Sequence, residues 1–139
     1  MSTKGPILIL EDDEDDEHIF TLAFKNIGVA NELKFFTNGE AYLHYLYHTS
    51  DKPFILISSF NLKRMSGLEV RRQMQSNDFL RNKGIPFIFY TLRDDPEDIQ
   101  KAYDLTVQGY FVKQDMMEDM EKQLKIIIDY WMSCKHTNS

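Results

Sequence analysis

Side chains that could bind a metal ion or a phosphate follow the short apolar runs of this sequence. Residues 7–10 read ILIL and lead directly into seven consecutive acids, of which Glu11 and Asp12 come first. Carboxylate oxygens are hard ligands of the kind that Mg²⁺ takes. The same acids would also be favourable as a solvated run at the positive end of a following helix. This segment alone leaves both interpretations open.

Three further polar side chains come directly after apolar runs. They are the hydroxyls of Ser59 and Thr91 and the ammonium of Lys113. Hydroxyl and ammonium groups can bind a phosphate, and carboxylates nearby can hold a divalent cation beside it. If the apolar runs are parallel strands, their carboxyl ends meet at one edge of a sheet, which is where ligands of such folds bind.

The apolar runs are predicted strands, and several of them are continuously apolar, as expected for parallel strands covered on both faces. Longer amphipathic segments alternate with them. This alternation indicates an α/β fold with a doubly wound, mostly parallel sheet and helices on both faces. We predict five strands, at Ile7–Leu10, Leu33–Phe36, Phe54–Ser58, Pro86–Tyr90 and Tyr110–Val112.

Five helices are predicted from the amphipathic segments and their ends. The first ends at Gly28 and carries apolar residues at helical spacing, namely Ile19, Leu22, Ala23 and Ile27. The other four begin at predicted caps, which are Asn38, Ser66 with Glu69, Asp95 before Pro96, and Asp115 with Glu118. A buried stripe is predicted for the last helix, formed by Met117, Met120, Leu124, Ile127 or Ile128, and Trp131.

Composition narrows the class of protein. A chain of 139 residues suits one domain, and its net charge of −6 disfavours nucleic acid as a partner. Cys134 is the only cysteine, so an intrachain disulfide is excluded. The sequence contains no signal-peptide core and no apolar run of the roughly 18 residues that a membrane span needs. We therefore expect a cytoplasmic protein without a membrane segment.

Four motifs, taken together and in order, resemble the receiver domain of two-component response regulators. They are the acid pair after the first strand, NLKRMSG after the third, the threonine that ends the fourth, and GYFVK on the fifth. The resemblance covers residues 5–131 and is closest to small single-domain regulators. It implies a flavodoxin-like sheet of strand order 2-1-3-4-5 with five helices, and a single receiver domain over residues 1–139 without an output domain.

The resemblance also implies a metal site. In receivers the acid pair binds Mg²⁺, and Glu11 and Asp12 match that pair. The main-chain carbonyl two residues after the phospho-acceptor binds the same ion, and Asn61 matches that position. Counting back from Asn61, the acceptor position holds Ser59 instead of aspartate. A serine supplies no anionic oxygen, so we expect Mg²⁺ binding to be weakened.

Phosphoryl contacts are implied for other residues. Thr91 matches the hydroxyl that contacts the phosphoryl group, Lys113 matches the lysine that pairs with acceptor and phosphate, and Tyr110 matches the aromatic that reorients on activation. Without an acidic acceptor, we expect Lys113 to turn to Asp12 or Glu11. A serine hydroxyl is also a poor nucleophile without an adjacent base, which disfavours phospho-acceptance from a histidine kinase.

Four further positions depart from the pattern of the family. Leu92 stands where a small residue is usual, and Lys63 stands where proline is usual. Gln114 replaces a proline that follows a cis peptide, so we expect a trans Lys113–Gln114 bond or local strain. Thr106 stands at a helix end where glycine is usual, and a β-branched residue is disfavoured there at positive φ.

The sequence therefore predicts a signalling protein, not an enzyme. We expect an atypical, phosphorylation-independent receiver in two-component phosphorelay signalling that contacts a sensor histidine kinase or another signalling protein. The face formed by the fourth predicted helix, the fifth strand and the fifth helix would carry that contact or a homodimer. The alternative is a metal-dependent phosphoryl-transfer or hydrolytic enzyme with Ser59 as nucleophile. A flavodoxin-like cofactor binder is disfavoured because seven carboxylates after the first strand would repel a phosphate.

Overall fold

Short apolar runs and amphipathic segments alternate in the structure as they do in the sequence. The computed structural model describes residues 2–136. After a 3₁₀ helix at Ser2–Lys4, the strands are β1 Ile7–Leu10, β2 Leu33–Phe36, β3 Ile55–Ser58, β4 Phe87–Thr91 and β5 Gly109–Val112. The helices are α1 Glu14–Asn26, α2 Gly39–His48, α3 Gly67–Ser76, α4 Asp78–Arg81, α5 Pro96–Asp104 and α6 Met117–Ser133.

The five strands form one sheet in the order β2-β1-β3-β4-β5, and every adjacent pair is parallel. The predicted class and strand order are confirmed, and the strands lie within one residue of their predicted ends. In the register, Leu10 lies opposite both Phe36 and Ser58, and Thr91 lies opposite Val112. The carboxyl ends of the strands therefore meet at a common edge, as a parallel sheet requires.

The helices differ from the prediction by one short element. Five helices have nine residues or more, and the four-residue α4 is additional. It arises because Asn77 adopts an extended conformation, with φ −112° and ψ 118°, which ends α3. The side chain of Asn77 then accepts a hydrogen bond from the amide of Leu80 and caps α4.

Most of the predicted caps are confirmed. Asn38, Ser66 and Asp95 accept hydrogen bonds from the amides of Ala41, Glu69 and Glu97 respectively. The cap at Asp115 is wrong, because α6 begins at Met117 and its N-cap is Met116, which makes no side-chain capping bond.

Two apolar layers cover the sheet, one on each face. Alternate residues of β1 belong to different layers, since Leu8 and Leu10 face one side and Ile7 and Ile9 face the other. The first layer is completed by residues from α2, α3 and α5, including Tyr42, Leu46, Val70, Met74 and Ala102. The second is completed by residues from α1 and α6, namely Phe20, Ala23, Phe24, Met120, Leu124, Ile127 and Ile128.

Helix α1 packs on the sheet through a face that coincides only in part with the predicted apolar set, of which Ala23 and Ile27 belong to the core. Ile19 and Leu22 are 36% and 41% exposed, whereas Phe20 and Phe24 are buried. Both sets of residues satisfy helical spacing, so spacing alone cannot separate them. The aromatic face is buried because phenylalanine removes more apolar surface from water.

Gly67 is required where α3 begins against the end of β3. A Cβ atom at this position would collide with the main-chain oxygen of Ser59 and lie 2.7 Å from the ring of Phe89. Neither the backbone nor a packed core ring can move away cheaply. Gly67 therefore allows α3 to approach the strand end on which Ser59 stands.

We expect Gly67→Ala to lower the free energy of unfolding by about 3 kcal/mol, because overpacking displaces backbone and core together. Gly28→Ala is the control. A Cβ at Gly28 meets nothing within 4 Å, and only its φ of +80° opposes the substitution, which costs about 1–2 kcal/mol. Urea denaturation of both variants checks this. A Gly67 variant as stable as the Gly28 variant would contradict the proposed close approach.

Candidate functional site

Acidic side chains, a hydroxyl and a lysine lie together at the carboxyl edge of the sheet. Glu11 and Asp12 directly follow β1, Ser59 follows β3, and Lys113 follows β5. The amide of Ser59 donates to the carbonyl of Leu10 at 2.9 Å, which ties the ends of β1 and β3 together. Lys113 reaches Glu11 across the edge, with 3.7 Å between Nζ and Oε2.

The nearest carboxylate to Lys113 is that of Asp16. Its Oδ2 lies 3.0 Å from Lys113 Nζ, closer than Glu11, and no ion pair joins Lys113 to Asp12 among the described residues. The side chains of Lys113 and Asp16 are only 14% and 22% exposed, so this ion pair is poorly screened by solvent. The sequence predicts Asp12 or Glu11 as the partner and misses Asp16.

Asp16 could have been found from the face of α1 that packs on the sheet. It precedes the buried Phe20 by four residues, so the two share one face of the helix. Phe20 itself lies under the lysine, with 5.4 Å between Lys113 Nζ and the ring centroid.

Asp12 is held by the loop that follows β3. Its Oδ2 accepts a hydrogen bond of 2.9 Å from the main-chain amide of Lys63. The receiver pattern places a proline at this position, and proline has no amide hydrogen to donate. With lysine at this position, the main chain supplies a donor to the Asp12 carboxylate.

Ser59 makes few contacts through its hydroxyl. The side chain is half-buried, and its Oγ lies 3.5 Å from the carbonyl oxygen of Asn61, at the limit of a hydrogen bond. No imidazole or carboxylate bonds to this hydroxyl in residues 2–136. Asn61 is exposed, and its carbonyl is the group that the sequence assigns to the metal.

Thr91 and Tyr110 both contact the segment that follows β4. The buried Thr91 hydroxyl accepts from the amide of Arg93 at 3.3 Å, and the hydroxyl of Tyr110 donates to the carbonyl of Arg93 at 2.6 Å. Arg93 in turn bonds to the buried carboxylate of Asp98, with 2.6 Å between Nε and Oδ2. These bonds fix the segment between β4 and α5, which we call the β4–α5 loop (residues 92–95).

The ring of Tyr110 packs inward. It is half-buried against Phe60 and Phe89, with centroid distances of 6.3 Å and 5.5 Å. Burial and the neighbouring Asp98 raise the pKa of Tyr110 to about 12. The phenol therefore keeps its proton at neutral pH and can donate to the loop.

The departures from the receiver pattern have visible outcomes. Leu92 is 70% exposed, so it lies outside the site. No peptide bond in the described part of the chain is cis, which makes the Lys113–Gln114 bond trans. Thr106 adopts a φ of 59°, the disfavoured conformation expected at its position.

The carboxylates at this edge differ in their electrostatic environment. Burial raises the pKa of Glu11 from its usual 4.5 to about 7, and Lys113 only partly opposes this effect. Across residues 2–136, no three acidic, histidine or cysteine side chains converge so that they could hold a metal ion. With Asp12 bonded to an amide and Glu11 facing an ammonium, the side chains are a poor fit for Mg²⁺ as they stand.

Fold and site together define a class: a parallel sheet of order 2-1-3-4-5 with acids, a threonine and a lysine at its carboxyl edge is the arrangement of a signal-receiving domain. The family model for the response regulator receiver domain matches residues 7–125. This chain belongs to that family. Its members are signalling modules that interact with sensor histidine kinases and commonly bind Mg²⁺ or Mn²⁺.

Relatives and solved structures agree with this assignment. The chain is 27% identical over 130 residues to the probable methanogenesis regulatory protein FilR2 of Methanothrix harundinacea, covering 91% of this chain and 83% of that protein. It is 27% identical over 131 residues to response regulator Rcp1 of Synechocystis, covering 91% and 88%.

Among solved structures, phosphorylated RcpA, a cyanobacterial phytochrome response regulator, superposes with a TM-score of 0.84. It is 25% identical, over 95% of this chain and 97% of that one. The Mn²⁺-bound form of Rcp1 superposes with a TM-score of 0.81 at 24% identity, over 94% and 96%, and supports the fold. No helix within residues 2–136 combines the length and the apolar character that crossing a bilayer requires.

The raised pKa of Glu11 leads to a pH dependence of stability. Between about pH 4.5 and 7 the folded protein keeps a proton on Glu11 that the unfolded chain has released. The contribution of this group to stability therefore falls as the pH rises through that window. In metal-free buffer at about pH 8, we expect Glu11→Gln to raise the free energy of unfolding by roughly 2 kcal/mol.

The matched control is Glu14→Gln, which changes an exposed acid of the same run and should shift stability by less than about 0.5 kcal/mol. Denaturant unfolding at about pH 5 and pH 8 compares both variants with the unmodified protein. An equal pH dependence in all three proteins would refute the burial of a charge at Glu11.

Proposed function

We propose that this chain is an atypical receiver domain of two-component signalling that acts through protein contacts and does not depend on phosphorylation. The observation that carries the proposal is the position of Ser59. It stands at the carboxyl end of β3, two residues before Asn61, where the family has its phospho-accepting aspartate. The carboxylate that would form an acyl phosphate is therefore replaced by a hydroxyl.

The contacts of Lys113 at the carboxyl edge support the proposal, because its positive charge is compensated without an acceptor carboxylate. Lys113 has an anionic partner in Asp16 at 3.0 Å, and the carboxyl group of Glu11 lies 3.7 Å from it. The charge of Lys113 is therefore compensated without an acidic group at position 59. A phosphoryl group at position 59 would have to compete with these carboxyl groups for the Lys113 ammonium.

Divalent metal binding is proposed to be weak. Of the ligands that the family uses, the chain keeps Glu11, Asp12 and the carbonyl of Asn61 but lacks the acceptor carboxylate. Asp12 is also bonded to the amide of Lys63. Affinity for a hard cation depends on the number of anionic oxygens that it can reach, and here that number is reduced.

The switch residues are proposed to be held in one arrangement. Tyr110 donates to the carbonyl of Arg93 and packs on the core, while Arg93 is bonded to Asp98. These contacts involve only side chains and main-chain groups of the domain itself. A partner would therefore meet a largely preformed surface, and it could shift the conformation only by binding one arrangement more tightly than another.

The contact surface is proposed to include α5, β5 and α6, the face predicted from the sequence. Large apolar side chains are exposed there, with Tyr103, Met116, Ile126 and Tyr130 between 48% and 66% exposed. Exposed apolar patches mark protein interaction sites. A sensor histidine kinase, another signalling protein or a second copy of the chain could bind this face. The acidic net charge disfavours nucleic acid, and the free cysteine suits the proposed cytoplasmic location.

The alternative of an enzyme with Ser59 as nucleophile lacks support in the surroundings of Ser59. A serine nucleophile needs a base within hydrogen-bond reach, and the hydroxyl of Ser59 contacts only the Asn61 carbonyl in the described chain. Ser59 has therefore no group to take its proton. The proposed role is recognition without catalysis.

Restoring the acceptor tests the proposal. With acetyl phosphate and Mg²⁺, the unmodified protein should incorporate no phosphate, and Ser59→Asp should gain partial incorporation. Ser59→Asp should also bind Mg²⁺ at least about tenfold more tightly in calorimetry, because it adds an anionic ligand. Ser59→Asn is the control, since it has nearly the size of aspartate but no charge, and it should gain neither property. Stable phosphate on Ser59 of the unmodified protein would overturn the proposal.

Removing one hydroxyl tests the preformed arrangement. Tyr110→Phe should weaken the β4–α5 loop by about 1 kcal/mol, the net value of one hydrogen bond. Amide exchange at residues 93–98 should then be about fivefold faster. Tyr103→Phe is the control, since this exposed hydroxyl donates to no described residue. Unchanged exchange in the Tyr110 variant would show that the bond to Arg93 does not hold the loop.

A further inference from the structure

A cavity lies at the amino edge of the sheet, opposite the site described above. Its volume is about 330 Å³, within the range of small-molecule pockets. The segments that lead into β4 and β5 border it, together with α3, α4 and the end of α6. Its apolar wall is formed by Met74, Leu80, Ile85, Pro86 and Trp131.

The charge of this cavity is opposite to that of the whole chain. The chain has 22 acidic and 16 basic residues, yet the cavity is lined by basic side chains and by no aspartate or glutamate. Arg81 is paired with Asp78 at 2.6 Å, so its charge is largely compensated. Arg71 and Lys135 form no ion pair with any residue in the 2–136 range. The two of them therefore leave the cavity net cationic.

Arg71 is buried without a carboxylate partner. It is 4% exposed, and its Nε and Nη2 donate to the carbonyls of Leu105 and Thr106, each at 2.9 Å. Burial lowers the pKa of Arg71 to about 10, so the guanidinium is still charged at neutral pH. Its Nη1 donates to no residue in the described chain. A buried donor of this kind is costly unless a ligand or water satisfies it.

A main-chain donor lies in the same wall. Ile85 is 6% exposed and lines the cavity, and its amide donates to no described residue. The preceding Gly84 adopts a φ of 63°, which ends the turn after α4. Three residues with unused donors thus line one cavity: Arg71 and Ile85, each with a nitrogen that donates to no described residue, and Lys135, whose ammonium has no ion pair among residues 2–136.

We propose that this cavity binds a small organic anion. Its carboxylate or phosphate is held by Arg71, Lys135 and the amide of Ile85, and its flat apolar body packs on Trp131 and the aliphatic wall. Paired donors of this type are the usual means of binding carboxylate and phosphate in proteins. The site does not involve Ser59, so the inference is independent of the proposed function.

Trp131 gives a direct measurement, because it is the only tryptophan of the chain and lines the cavity. Its indole N–H should give a single side-chain signal in nitrogen-edited NMR. Titration with adenosine monophosphate and with benzoate should shift that signal saturably for at least one of the two anions. Adenosine and benzyl alcohol, which have the same flat bodies without the charge, should bind at least about tenfold more weakly.

Variants distinguish the cavity from general charge attraction. Lys135→Glu should weaken binding of the anion at least about tenfold, since it replaces attraction by repulsion. Lys101→Glu makes the same charge change at an exposed site on α5 outside the cavity and should leave the affinity unchanged. Arg71→Met removes the buried guanidinium but also its bonds to the end of α5. If that variant does not fold, Lys135→Glu alone tests the proposal.

Each result of these titrations either supports or overturns the proposed anion site. No saturable shift with either anion, or equal affinity for charged and uncharged probes, overturns the proposal. Equal weakening by Lys101→Glu and Lys135→Glu also overturns it, because the attraction would then be a property of the whole surface. Titration with inorganic phosphate, which has no apolar body, separates the contribution of the charged group from that of the apolar body. Tighter binding of adenosine monophosphate or benzoate than of bare phosphate supports the contribution of the Trp131 wall.

Discussion

The ion pairs of Lys113 with Asp16 and Glu11 are the interaction on which the carboxyl edge depends. Acids from the end of β1 and from the first turn of α1 stand close together there, and like charges at such distances oppose folding. The ammonium that follows β5 lies between two of these acids and connects the two sides of the sheet edge. Helix α1, strand β1 and strand β5 are thereby held in a fixed relation around the site.

Two positions that depart from the receiver pattern bear on this balance. The serine at position 59 carries no charge, and the main-chain amide of Lys63 donates to Asp12. The edge is left with carboxylates whose partners belong to the protein itself. In a phosphorylatable receiver, part of this compensation would come from a metal ion and a phosphoryl group. Under the proposed function, the serine at position 59 and these internal partners belong to one arrangement.

The sheet could be predicted because its signal is local and repeated. Each strand is a short, mostly apolar run, and side-chain caps at Asn38, Ser66 and Asp95 mark where helices begin. The face of α1 could not be predicted, because Ile19 and Phe20 both fit helical spacing and only packing decides between them. Helix α6 begins without a side-chain cap, so its start at Met117 left no local mark in the sequence.

The turn between α5 and β5 is secured in a different manner from the opposite edge. Arg71 bonds to the main-chain oxygens of Leu105 and Thr106, which hold the strained φ of 59° at Thr106. Peptide oxygens do not titrate, so a change of pH that alters the charge of Glu11 leaves these acceptors unchanged. The two edges of the sheet therefore respond to pH unequally. The electrostatic balance near Lys113 changes as Glu11 gains or loses its proton, while the corner held by the guanidinium keeps its geometry.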